Sequence, residues 1–207
     1  MRWPIAIGAL LFIAASSEFS LAADPRYPDW PCTQAKVPEI SLAAVWAGPP
    51  LDDIKGKWKN DARVSALVPK LAARRTSLED AQKAITEFVA GSAADKATAG
   101  KLLFTGLFDT LNAQRSSVLS GLERITRKQR AAAEKIQADA VAMQALQALQ
   151  SASTPDQTKI EELGNQLVWQ TRIFEERQRV VKFVCEVPTA IDQRLFALSR
   201  VIQQEME

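Results

Sequence analysis

The chain has 207 residues, 26 Lys and Arg against 24 Asp and Glu for a net charge of +2, two cysteines and no histidine. So small a charge gives no general electrostatic case for nucleic acid, and the missing histidine removes Ser-His-Asp and Cys-His nucleophile systems, His-ligated zinc and haem attachment through CxxCH. There is no glycine-rich phosphate loop, and the adjacent carboxylates Asp52-Asp53 and Glu175-Glu176 lie in helical context, where neighbours point apart. Neither a cofactor nor an enzymatic activity is expected.

Residues 1–23 read as a signal peptide. Arg2 gives a short positive start, Trp3 to Ala15 is apolar, and Ser16 to Ala23 offers small residues for cleavage after Ala22 or Ala23. The apolar run falls short of the ~20 residues of a spanning helix, and no later stretch is long and apolar enough to span. A periplasmic or secreted location without a transmembrane segment in the mature chain is therefore expected. In an oxidising compartment, Cys32 and Cys185 most simply form one bridge. An intermolecular pair or two free thiols remain as alternatives.

Residues 24–50 are rich in proline yet carry Tyr27, Trp30, Trp46 and Cys32. Such a segment cannot hold a long helix, and its aromatic content is not that of a linker. It reads as an extended strap over a helical body, or alternatively as a peptide that offers Trp30 to a partner.

The helical domain spans 51–207. Its first part, 51–90, predicts short helices with one apolar stripe each, Leu51, Ile54, Trp58, Val64, Leu67 and Leu71 among them, with a break or kink near Asn60-Asp61 and Pro69. Thr76 and Glu79 suggest a capping box for a helix carrying Ala81, Ile85 and Val89 on one face. From about 94 to 150 there is no proline, and strong helix formers dominate. Ser151 to Pro155 breaks the pattern, with Thr154, Pro155 and Gln157 as a second helix start. A helix of about 155–204 follows, with a kink or break near Pro188.

Both long helices carry an apolar stripe spaced alternately four and three. Folding the chain back about residue 153 pairs 146 with 160, 143 with 163, and so on to 104 with 202, with the order of spacings mirrored throughout. Gln129 then opposes Arg177, Arg130 opposes Glu176 and Glu134 opposes Arg172, while Arg115, Asp139 and Gln170 lack partners. Gly121 opposes Cys185 and could open a notch for the strap, or simply be tolerated. The fold class is thus all-α: a long antiparallel, coiled-coil-like hairpin, with two shorter N-terminal helices at its base completing a four-helix bundle, and an extended N-terminal strap. Residues 126–180 carry charge, Ala and Gln outside the seam and should project as a slender arm, where a second copy of the chain could add cover.

The sharpest local charge is the run Arg124, Arg127, Lys128, Arg130 and Lys135, which reads as a solvated helix face or as a contact for an anionic partner. With Trp30, the first four make the candidate interaction surface. The expectation is a non-enzymatic scaffold, adaptor or chaperone with a protein partner and with homo-oligomerisation open. The alternative is a small-molecule module with a base pocket near Trp58, Phe88 and Phe108. In outline only, the exported helical body with protruding helices resembles periplasmic holdase chaperones and the hairpins of secretion adaptors.

Overall fold

The computed structural model describes residues 24–92, 95–149 and 157–207. The signal-peptide expectation at 1–23 and the turn expected at 151–155 lie outside them. The chain is all-helical, and no strand occurs among the described residues. A single-turn helix α1 (Leu42–Val45) lies within the strap. After a 3-10 turn at Lys57–Asn60 come α2 (Ala62–Ala72), α3 (Leu78–Ala90), α4 (Lys96–Leu149), α5 (Gln157–Val184) and α6 (Val187–Met206). With 54 residues, α4 is about 80 Å long at ~1.5 Å per residue.

Local chemistry sets the boundaries. Asp61 caps α2, its side chain accepting from the amides of Arg63 and Val64. Of the break or kink expected at Pro69, the break does not occur: the proline lies inside α2. The cap of α3 is Ser77, whose hydroxyl accepts from Asp80 N, one residue later than the Thr76–Glu79 box. Both registers offer a hydroxyl followed by an acid, but the Thr76 hydroxyl donates to Lys70 O and closes the preceding loop. At the far end, α5 stops at Val184 and α6 starts at Val187, with Pro188 in its first turn. A proline there loses no intrahelical hydrogen bond, so the chain breaks at Cys185-Glu186, just before the proline.

Contacts along α4 run antiparallel to α5 and α6. Gly100 lies against Ile202 and Met206, and Arg115 pairs with Asp192 at 2.7 Å. Gln129 donates to Phe174 O at 2.9 Å, and a Cβ on Gly164 would stand 3.2 Å from Met143 Cε. The core lies at the α6 end. There α2 packs Val64, Val68 and Leu71, and α3 packs Ala81, Ile85 and Val89, against Leu103, Phe104, Leu107, Leu111, Leu195, Leu198 and Ile202. A Cβ on Gly106 would stand 2.6 Å from Val68 Cγ2 and 3.1 Å from the Trp58 ring. That glycine lets α2 approach α4 closely, which explains its presence mid-helix despite a cost of ~1 kcal/mol relative to Ala.

Candidate functional site: a groove between the long helices

The strap is fastened residue by residue. Cys32 and Cys185 stand at disulfide distance, with Cα atoms 5.5 Å apart, and no free cysteine remains. Asp29 accepts from both Arg127 and Arg130 at 3.0 Å, Lys36 pairs with Glu123, and Arg115 donates to Val37 O at 2.7 Å. Trp46 is buried and stacked on Phe104 with centroids 4.2 Å apart. Trp30 is half-buried, and its indole N–H donates to Gln34 O at 2.7 Å. The Trp30 indole N–H is thus used within the strap itself. The strap is not fully extended, since it folds into turns and α1.

Strap contacts divide the basic run in two. Arg127 and Arg130 face the strap, and Asp29, held by their guanidiniums, has its carboxyl lowered below the usual carboxylate range. Arg124 and Lys128 point elsewhere and are exposed. The expected Arg130–Glu176 pairing gives way to Arg130–Asp29 and to Glu176–Arg179 at 3.2 Å, because each group finds a carboxylate or guanidinium nearer its own helix face. Gln129 and Arg177 do not make one polar layer. Gln129 turns to the Phe174 carbonyl, and Arg177 faces outward. Arg115 and Asp139, unpartnered in sequence, are paired with Asp192 and Lys135.

The notch at Gly121 is not crossed by the strap. A Cβ there would meet only Arg124 Nη2, at 3.9 Å. The notch instead opens into a groove of about 390 Å³ between α4 and α5, floored by Val118, Leu122, Ile125, Val180, Val181 and Val184. Arg177 and Glu176 complete the lining. Beside the groove α5 exposes a row of large apolar side chains: Trp169 is 63% exposed, Val180 58% and Phe183 78%, with Ile173 also exposed. Periodicity could have found this row. Positions 169, 173, 176, 180 and 183 repeat the four–three spacing of the seam, about a quarter-turn away from it.

The remaining candidates carry less. Trp58, Phe88 and Phe108 pack against the core, and the Trp58 indole N–H donates to Asp109 at 2.8 Å. Asp192, which pairs with Arg115 beside the strap, has its carboxyl pushed up by burial against the pull of that guanidinium. Among the described residues no group of three His, Cys, Asp or Glu side chains could hold a metal ion, and no helix is long and apolar enough to cross a membrane.

Fold and groove together define an all-helical chain whose strap is fixed by a Cys32–Cys185 pair and whose helix α5 leaves large apolar side chains uncovered. No family model, curated protein or solved structure matches it.

Proposed function

We propose that the chain is a non-enzymatic, exported interaction protein, a scaffold, adaptor or chaperone, that works through the arm formed by α4 and α5. In this reading residues 1–23 are removed on export, and α2 and α3 complete a four-helix base with α6 and the first part of α4. The single observation that carries the reading is the exposed row Trp169, Ile173, Val180 and Phe183 on α5. Scattered surface apolar residues need no explanation, whereas a row on one helix face, interrupted only by Glu176 and running beside an apolar groove, marks a surface meant to be covered. The alternative, a small-molecule module in the base, has less support because Trp58, Phe88 and Phe108 are already packed on the core.

The test is crosslinking in intact cells followed by affinity capture of the wild type and of Val180→Asp. A crosslinked species present with the wild type and depleted in the variant supports the reading. Identical captures from both overturn it.

A further inference from the structure

The groove's neighbourhood indicates what covers it. The apolar row of α5 continues into α6 at the same spacing as Val187, Ala190, Arg194, Ala197 and Val201. These positions are all partly covered, Val187 and Val201 packing on the core and Arg194 donating to Leu71 O at the end of α2. On α4 the groove wall of Val118, Gly121 and Ile125 likewise continues into Leu103, Leu107 and Leu111, which are buried in the core that α2 joins. At the base, then, this track is roofed by the chain's own helices α2 and α3. Along the arm the same track is bare.

Spacing and charge fix the occupant's chemistry. From Trp169 to Phe183 the row spans about 21 Å at ~1.5 Å per residue, and its heptad rhythm matches the knobs of another α-helix. The missing side chain at Gly121 lets such a helix approach closely. Among the described residues Arg124, Lys128 and Arg177 have no carboxylate partner, and Glu176, the carboxylate lining the groove, is held by Arg179. The rim is therefore positive where it is unpaired.

We propose that the α4/α5 groove receives an amphipathic helix of a partner protein, laid along the arm as a continuation of the α2/α3 layer, with its apolar stripe on Val180 and Ile125 and acidic side chains against Arg124, Lys128 and Arg177. This inference rests on the interaction role above and adds the partner's chemistry.

The test uses the full, oxidised chain and two fluorescent peptides of about three heptads, each with leucine at the apolar positions. One is flanked by glutamate and the other by lysine. Anisotropy titration should give about tenfold or more tighter binding of the glutamate-flanked peptide. Gly121→Leu, which fills the notch, and Val180→Asp should each weaken that binding about tenfold or more while circular dichroism shows the fold unchanged. The double variant Arg124→Glu/Lys128→Glu should reverse the preference between peptides. Equal binding of both peptides, binding of neither, or binding indifferent to Gly121→Leu and Val180→Asp would overturn the proposal. So would a dimer that Val180→Asp returns to monomer, since the occupant would then be a second copy. If the captured species still depends on Val180 while the peptides fail, the interaction role stands and the acidic helix does not.

Discussion

Arg115 is buried on α4 at a seam position that ordinarily holds an apolar side chain, and its environment explains why the charge is tolerated. Its guanidinium contacts Asp192 at 2.7 Å on α6 and donates to Val37 O in the strap, so one residue joins three segments. Arg115→Met keeps the volume and removes the donors. It should cost about 2 kcal/mol, in line with hydrogen bonds to charged groups, read as a lower urea midpoint with an unchanged slope. Asp192 and Asp29 respond to pH with opposite signs. Burial raises Asp192, so the folded state holds that proton more tightly, and its contribution is largest at low pH and fades as pH rises through the raised value. Arg127 and Arg130 lower Asp29, so its contribution is present above the usual carboxylate range and is lost as pH falls through the lowered value. Amide exchange in residues 26–36 should therefore speed up as pH drops below about 4, after correction for intrinsic rates, and Asp29→Asn should remove that step. If exchange there is insensitive to both, the ion pairs do not hold the strap.

At the scale of elements, two glycines of α4 make opposite predictions. Gly106→Ala puts a Cβ 2.6 Å from Val68 Cγ2, so α2 must move, and the variant should be less stable even though alanine is the better helix former. Gly121→Ala meets only the far end of Arg124, and it should gain up to ~1 kcal/mol, seen as a higher thermal midpoint. Equal shifts of one sign would contradict the packing described. These glycines also mark how far sequence reaches. Helix formers without proline and a helical apolar period made the all-helical class and the long α4 legible, because hydrophobic periodicity is a strong and redundant signal. The cap of α3 was misread by one residue, since Thr76-x-x-Glu79 and Ser77-x-x-Asp80 are equivalent until Thr76 finds Lys70 O. Ion pairing was misread for a similar reason. Arg130 and Glu176 each have more than one partner within reach, and only the path of the strap selects Asp29.

For the whole molecule, the Cys32–Cys185 link spans 153 residues and ties the strap to the break between α5 and α6. Cys32→Ser/Cys185→Ser should lower stability by about 2–5 kcal/mol in denaturant unfolding, and mass analysis of unreduced peptides from the wild type should recover the Cys32–Cys185 species. The candidate surface was only half legible. Sequence isolated the basic run, but not that Asp29 claims Arg127 and Arg130 while Arg124 reaches toward Gly121 at the groove and Lys128 stays exposed. The Trp30 indole N–H bonds within the strap, whereas Trp169 and Phe183, hidden in a helix of ordinary composition, stand exposed. A second stripe on one helix is a weak signal until the fold leaves it uncovered.

On the proposed function, this uncovered face of the arm is where the chain meets its partner. A photoreactive side chain introduced at Val180 in living cells, with Lys83 on the solvent face of α3 as control, tests it most directly. The expected result is an adduct at Val180, mapped to a helical, acid-rich segment of another protein, and none at Lys83. No adduct at Val180, or the same adducts at both positions, would contradict it.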